Sequence, residues 1–370
     1  MTISGTPSLF TPIRVGELDL KHRIVLAPLT RFRGYDDHVP GPQTATYYSQ
    51  RGSTPGTLLI TEATFIASKA GGYPNVPGIY TDAQIKGWRE VTDAVHMKGS
   101  YIFCQLWALG RAADPEFVVS KGNEHVGASA IPLQEHLDAG HNKPPRALTI
   151  PEIKEYVQLY ATTAQNAIEA GFDGVEIHGA NGYLIDQFLQ DVSNDRTDEY
   201  GGSIENRTRF ALEVVDAVVT AVGASKVGIR MSPWSEFQDM RMADPITTFS
   251  YYVNKIKERN LCYIHAVEPR IKGSETAIKE TGIESNDFLR EIWVDRPFIA
   301  AGGFTRPKAF ETAEQKGGLV AFGRLFIANP DLPRRLKEDI QLTAPIRAKF
   351  YLVGNHTPEG YTDWPFASDN

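Results

Sequence analysis

Eight short apolar segments recur along the whole chain, and this repetition constrains the fold more than any other feature. They are rich in Ile, Val, Leu and Phe and are too continuous to be half-exposed strands, which is typical of strands buried on both faces. We predict strands at 24–27, 57–61, 101–106, 174–177, 227–231, 262–267, 298–301 and 319–322.

Amphipathic stretches of helical length lie between these segments. The clearest covers 149–170, where Thr149 and Glu152 can form a capping box and Gly171 ends the helix. Further helices are predicted at 82–98, 203–222, 245–259, 307–315 and 330–340. Strands that alternate with helices indicate a parallel sheet covered by helices, and a count of eight favours a closed (β/α)₈ TIM barrel. An open sheet with a dinucleotide site would carry G-x-G-x-x-G after its first strand, and the sequence has no such string.

The length is compatible with one barrel, since such barrels run from about 200 to more than 400 residues. We find no repeat and no linker, and therefore predict a single domain over 1–370. The longest connection follows the third strand and is punctuated by Gly and Pro. It lies at the end of the barrel that carries active sites, so we expect either a lid or an irregular excursion with its own hairpin.

Composition excludes several classes of protein. The chain is 42% hydrophobic, 22% charged and carries a formal charge of −7, with no dense basic stripe for nucleic acid and no apolar run long enough to span a membrane. The first thirty residues lack a signal-peptide pattern, so we expect a cytoplasmic protein. Cys104 and Cys262 stand alone in apolar runs and are predicted to be core thiols.

Chemistry in a barrel collects where strands end, and polar residues follow each predicted strand. These are 28–31, 61–62, 105–107, 178–183, 230–233, 268–270, 302–303 and 323–324. A hydrolytic metal centre would place several His and Asp there, whereas His178 stands alone among amides, hydroxyls and arginines, so we expect no metal.

The last two strand ends are suited to an anion. Gly302-Gly303 and Gly323-Arg324 allow backbone N–H groups to approach a phosphate, which barrels bind after strands 7 and 8. Simple tight turns are the alternative explanation for these glycines.

Gln105 and Arg230 offer planar donors that suit the edge of a heteroaromatic ring such as a flavin pyrimidine. The alternatives are that Gln105 caps a strand carbonyl and that Arg230 forms a structural salt bridge to Glu62 or Glu176.

A series of longer motifs runs along the chain: APLTR at 27–31, GTLLITEA at 56–63, CQLWALGRAA at 104–113, GFDGVEIHGANGYLIDQFL at 171–189, NDRTDEYGGSIENRTRF at 194–210, IRMSP at 229–233, AGGF at 301–304, AFGRLFIANPDLPRRL at 321–336 and FYLVGNHTPEGYTDWP at 350–365. In these motifs the chain resembles the old yellow enzyme family over essentially its whole length.

The resemblance implies a noncovalently bound FMN, NADPH as hydride donor, and an enone or enal substrate whose activated C=C bond is reduced. The implied FMN-binding residues are Pro28, Leu29, Thr30, Ala63, Gln105, Arg230, Gly302, Gly303, Gly323 and Arg324. His178 and Asn181 match the pair that binds the substrate carbonyl oxygen, and Tyr183 matches the proton donor. The implied substrate-side residues are Tyr73, Trp107, Phe237, Phe350 and Tyr351.

Other functions fit the same scaffold. A flavin-dependent isomerase and a flavin-binding sensor are the alternatives to a reductase, and Tyr183 favours net reduction because it can complete it with a proton. The string at 104–115 is also similar to that of fungal enzymes that reduce an aldehyde of indole-alkaloid pathways, so a dedicated ergot-alkaloid-like role is a further alternative. The sequence leaves open whether the protein is a monomer or a homodimer.

Overall fold

A closed barrel of eight parallel strands forms the centre of the computed structural model, which describes residues 6–272, 275–276 and 284–368. The barrel strands are β1 Ile24–Leu26, β2 Leu58–Ile60, β3 Tyr101–Trp107, β4 Gly174–His178, β5 Val227–Met231, β6 Tyr263–Val267, β7 Phe298–Ala301 and β8 Leu319–Phe322. Each pairs in parallel with the next, and β8 pairs with β1 to close the ring. The predicted barrel is therefore confirmed, with all eight strands within a residue or two of their predicted positions.

Helices cover the outside of the barrel. The main ones are α1 Pro42–Arg51, α2 Asp82–His96, α3 Ile150–Glu169, α4 Ile204–Val222, α5 Pro245–Lys257, α6 Asp287–Ile292, α7 Arg306–Lys316 and α8 Leu332–Glu338. The capping box of α3 is confirmed, because the Glu152 carboxylate accepts the Thr149 N–H at 2.8 Å while Thr149 Oγ1 accepts the Glu152 N–H. Sequence reasoning missed α1, which is largely polar, and α6, which has only six residues.

Alternate residues of each strand face opposite sides of the barrel wall. In β1, Ile24 and Leu26 join the core shared with the helices, whereas Val25 joins a second core with Phe103, Tyr263 and residues of β7 and β8. A hairpin of Ile13–Val15 and Leu18–Leu20 adds Val15 and Leu20 to this interior core. The same alternation places Gln105, Glu176, His178, Arg230 and His265 on the interior side.

The long connection after β3 contains short elements but no hairpin. It comprises Gly110–Ala112, Pro115–Ser120, Val126–Gly127, Gln134–Asp138 and Arg146–Ala147. Val126–Gly127 and Arg146–Ala147 pair in parallel, so the predicted hairpin is wrong: the helix between them carries the chain back before it pairs.

Further short elements complete the described chain. They are Ser8–Phe10, Thr64–Phe65, Ser68–Ala70, Leu184–Leu189, Ala224–Lys226, Ile271–Lys272, Glu275–Thr276, Arg324–Ala328 and Arg347–Lys349. Cys104 and Cys262 are free and buried, as predicted. Within the described ranges, no helix combines the length and the apolar character that crossing a bilayer requires.

Candidate active site

A cavity opens at the carboxyl ends of β1, β5, β7 and β8. Its walls include eight of the residues that the sequence nominated: Pro28, Leu29, Arg230, Gly302, Gly303, Gly323, Arg324 and Tyr351. The barrel topology brings them together because parallel strands end on one side.

The glycines after β7 are required by their backbone. Gly302 has φ 131° and Gly303 has φ 57°, and a Cβ built on Gly302 would come within 2.6 Å of Ile271 Cγ1. Arg270, which sequence reasoning listed after β6 without a role, donates from Nε to the Gly302 carbonyl at 2.6 Å. This turn places Gly302 and Gly303, which have no side chain of their own, in the cavity wall together with Arg324.

Gln105 belongs to a buried polar cluster inside the barrel. Its Nε2 donates to Glu176 Oε1 at 2.7 Å, and the opposite oxygen of Glu176 lies 2.8 Å from His265 Nδ1. Gln105 thus bonds a carboxylate rather than capping a strand carbonyl. Sequence reasoning named Glu176 only as an alternative salt-bridge partner of Arg230 and gave His265 no role, although Glu176 stands two residues before His178 in the same strand.

Buried nitrogens without a hydrogen-bond partner in the described chain include Arg230 Nε, His178 Nδ1, His265 Nε2 and Trp107 Nε1. Among the described residues Arg230 forms no salt bridge with Glu62 or Glu176, so that alternative is wrong. A buried donor without a partner costs about 1–3 kcal/mol, and a polar ligand relieves this cost. The donor set therefore fits a flavin pyrimidine edge beside Arg230.

The charges of the site follow from burial. Burial, followed by the nearby Arg230 and His265, lowers the pKa of His178 well below its ordinary value, so its imidazole is neutral near pH 7. Burial raises the pKa of the half-buried Tyr183 phenol, which therefore keeps its proton. Burial also lowers the pKa of Arg230, but an arginine side chain stays charged.

The loop after β4 is tied to the end of β5. The Gly179 N–H donates to the Arg230 carbonyl at 3.0 Å, and the Asn181 N–H donates to Ser232 Oγ at 2.7 Å. Asn181 has φ 59°, a left-handed conformation that asparagine tolerates. These contacts hold His178, Asn181 and Tyr183 on one short turn.

Aromatic rings surround Tyr183. Its ring lies 4.9 Å from the ring of His178 and 4.7 Å from that of Trp107, both edge to face. Tyr73 lies 6.1 Å from Trp107, and Phe32 links Tyr73 to Tyr351 with 6.2 Å on each side. Phe32 was not predicted; its φ of 56° is unusual for a bulky residue and marks the turn that places its ring there.

Four further residues that the sequence nominated do not line this cavity: Thr30, Ala63, Phe350 and Phe237. Thr30 is half-buried in the segment that follows β1, and Ala63 is buried with Trp107 in one apolar cluster. Phe350 is buried against Ile327, Ala328 and Trp364, with its ring 6.2 Å from that of Tyr351. Phe237 is 38% exposed.

Two buried arginines that follow β1 hold the C-terminal segment 350–365. Arg31 donates to the carbonyls of Phe350 and Gly360, and Arg33 donates to those of Asn355, Thr357 and Glu359. The motif APLTR thus supplies, in Arg31, an anchor that places Tyr351 in the cavity wall.

Comparisons with known proteins agree with this geometry. The family model described as NADH:flavin oxidoreductase / NADH oxidase family matches residues 8–343. The chain is 49% identical over 366 residues to chanoclavine-I aldehyde reductase fgaOx3 of Penicillium roqueforti, covering 98% of this chain and 97% of that protein. It is 47% identical over 369 residues to NADP-dependent oxidoreductase lnbE of Aspergillus flavus, covering 97% and 96% of the two chains. A crystal structure of Old Yellow Enzyme from Pichia sp. AKU4542 superposes with a TM-score of 0.90 at 38% identity, covering 98% of this chain and 95% of that one. The chain therefore belongs to the NADH:flavin oxidoreductase / NADH oxidase family, and within it to the FMN-dependent oxidoreductases of the old yellow enzyme type.

Proposed function

We propose that this chain is an NADPH-dependent ene-reductase that reduces the activated C=C bond of an α,β-unsaturated carbonyl compound. The observation that carries the proposal is the pairing of a neutral His178, whose buried Nδ1 has no partner in the described chain, with a protonated Tyr183 at 4.9 Å between ring centroids. His178 can donate a hydrogen bond to the carbonyl oxygen of a substrate. Tyr183 can give its proton to the substrate carbon that must gain one.

Noncovalent FMN is the proposed cofactor. Gln105 and Arg230 would hold its pyrimidine edge and Thr30 its remaining ring carbonyl, while the turns at Gly302, Gly303, Gly323 and Arg324 would hold its phosphate. The unpartnered Arg230 Nε and the position of Gly302, where a Cβ would not fit, support this placement.

When bound, the flavin would take hydride from NADPH and deliver it to the β-carbon of the substrate. His178 and Asn181 would donate hydrogen bonds to the substrate carbonyl oxygen, where negative charge develops. Donors fixed at that oxygen stabilise the transition state more than the ground state, and one such donor is typically worth about 10²–10³ in rate.

Tyr183 would then give its proton to the α-carbon. It begins the helix Leu184–Leu189 and is half-buried, so solvent can return the proton after turnover. Trp107, Tyr73 and Tyr351, joined through Phe32, would form the substrate wall and exclude water from it, and Phe237 and Phe350 would extend it.

A role in secondary metabolism is the second candidate. The 49% identity to a protein named chanoclavine-I aldehyde reductase supports an unsaturated aldehyde as substrate. An isomerase would return the hydride to its substrate instead of completing reduction, and Tyr183 argues against that outcome.

The decisive experiment uses the purified protein under anaerobic conditions. Mass analysis of the released cofactor should show FMN, and NADPH should bleach the yellow protein faster than NADH does. A panel of enones, enals, nitroolefins and maleimides should restore the colour with saturated products. Finding FAD, or a bleached protein that no member of the panel reoxidises, contradicts the proposal.

We further propose that the protein has a single domain and is cytoplasmic. Light scattering of the purified protein will distinguish a monomer from a homodimer.

A further inference from the structure

Glu176 is a buried acidic residue that the proposed chemistry does not use. It lies at the centre of β4 with no exposed surface, and Gln105 Nε2 and His265 Nδ1 hold its two oxygens at 2.7 and 2.8 Å. A carboxylate so placed is expensive to bury unless it is both paired and hydrogen-bonded.

The three side chains meet across the barrel interior. β5 lies between β4 and β6, so the contact from His265 to Glu176 passes over a whole strand. Arg230, on that middle strand, is in register with His178 on one side and with His265 on the other. The carboxylate therefore shares the interior with the guanidinium that faces the proposed pyrimidine site.

Glu176 carries a negative charge. Burial alone would raise its pKa, but His265, Arg230 and Gln105 together lower it below the ordinary value. Burial lowers the pKa of His265, so the imidazole is neutral and donates its Nδ1–H to the carboxylate. The result is one anion facing one cation, Arg230.

This anion decides the orientation of the Gln105 amide. An ionised carboxylate only accepts hydrogen bonds, so the nitrogen of Gln105, not its oxygen, must face Glu176. The second N–H and the carbonyl oxygen of Gln105 are then left for another partner. Without the carboxylate, the two orientations of the amide would differ little.

Taking the proposed flavin site as given, we infer that Glu176 and His265 are positioning residues for it: they lock the donor orientation of Gln105 and offset the charge of Arg230. The pair touches neither substrate nor the reacting atoms. A merely structural role would change stability but would leave the electronic properties of the bound flavin as they are.

Glu176→Gln tests the charge. It keeps the shape but removes the anion, so the uncompensated Arg230 should raise the reduction potential of the bound flavin. Asp331→Asn is the matched control, since Asp331 is a buried carboxylate held by Arg335 and the Ala367 N–H and is not among the residues that line the cavity. It should leave the potential unchanged.

A double-mutant cycle tests the path through Gln105. In the parent, Glu176→Gln should weaken FMN binding about tenfold, measured by flavin fluorescence on dilution of the holoenzyme; with Gln105→Leu already present, the further loss should be much smaller. Equal losses in both backgrounds overturn the positioning role.

His265→Leu keeps the inference testable if Glu176→Gln does not fold. Loss of the Nδ1 donor should let Glu176 take up a proton nearer neutral pH, so the potential should rise and its dependence on pH should differ from that of the parent in that range. If FMN-loaded Glu176→Gln or His265→Leu has the reduction potential of the parent, the positioning role is wrong but the proposed function stands. A parent that binds no FMN overturns the proposed function as well, so the two failures are distinguishable.

Discussion

The backbone N–H of Gly182 donates a 2.8 Å hydrogen bond to the buried carboxylate of Asp186, and this contact fixes the turn between Asn181 and Tyr183. The Gly182 carbonyl is held in turn by Gln187 Nε2 at 2.8 Å. The peptide that separates the proposed oxyanion donor from the proposed proton donor is therefore clamped on both sides.

Asp186→Asn should destabilise this turn. The two Asp186 oxygens accept from Gly182 and from Gln190 Nε2, both at 2.8 Å, and an asparagine has only one oxygen to offer. One buried donor would lose its partner, which costs about 1–3 kcal/mol of unfolding free energy. Denaturant unfolding measures this, with Asp244→Asn at the start of α5 as an exposed control. Equal stability of parent and variant would contradict the clamp.

Glu62 should make stability pH-dependent. Burial raises the pKa of Glu62 to about 7. The hydrogen bond from the Arg31 N–H and the charges of Arg31 and Arg33 lower the pKa, but burial outweighs them. The folded state thus holds this proton more tightly than the unfolded state, so the contribution is complete below about pH 4.5 and is lost as the pH rises through 7. Glu62→Gln should remove that loss, worth roughly 3 kcal/mol at most. Urea unfolding of parent and variant from pH 5 to 8 gives the two slopes, and parallel slopes would show that Glu62 does not titrate there.

The fold was predictable because the apolar residues of the sequence follow two patterns. Continuous apolar runs indicated the strands, and the 3.6-residue spacing behind Thr149 indicated α3. The helix α1 gave no such signal, since its buried residues include Arg51 and Thr44 as well as Tyr47 and Tyr48. Arg51 is buried because its guanidinium lies 3.6 Å from the centroid of the Tyr47 ring, a contact that no linear pattern announces.

Only the site residues at the ends of strands, or in the turns after them, were predictable from the sequence. Gln105, Arg230 and the glycines follow from barrel topology, because each occupies a strand end or the turn after it. The Glu176–His265 contact was not predictable, since it joins β4 to β6 across the closed interior. The anchoring of the C-terminal segment by Arg31 and Arg33 likewise depends on packing between chain regions more than 300 positions apart.

Arg230→Ala should lower the reduction potential of the bound flavin. Its unpartnered Nε and its positive charge would lie beside the pyrimidine edge, where a cation stabilises the negative charge of the reduced flavin. FMN binding should weaken as well. Potentiometry with a reference dye measures the first effect, and Arg324→Ala, at the phosphate end, should weaken binding with little change in potential. A parent-like or higher potential in loaded Arg230→Ala would refute the placement.

Replacing both His178 and Asn181 by Ala should abolish phenol binding. A para-substituted phenol bound as phenolate over the flavin gives a long-wavelength absorbance band, and these two side chains would hold its oxygen. Titration of the double variant and the parent compares the two affinities. Met97→Ala, a change at a side chain that is 80% exposed at the end of α2, is the control and should retain the band. Undiminished phenol affinity in the double variant would remove the anion-binding role.

Tyr183→Phe should separate the two half-reactions. Hydride transfer from NADPH needs no protein acid, so FMN content and anaerobic bleaching should stay close to those of the parent. Reoxidation by cyclohexenone should slow within the roughly 10²–10⁴-fold range of general acid catalysis, because the α-carbon must gain a proton. A nitroolefin, whose reduced form is a stable anion, should be affected much less.

The phenylalanine ring keeps the edge-to-face contacts with Trp107 and His178, so a selective loss reports on the hydroxyl. Stopped-flow absorbance follows each half-reaction. Parent-like reoxidation by cyclohexenone would make Tyr183 a wall of the pocket, and a collapse of both half-reactions would assign it to positioning instead of proton delivery.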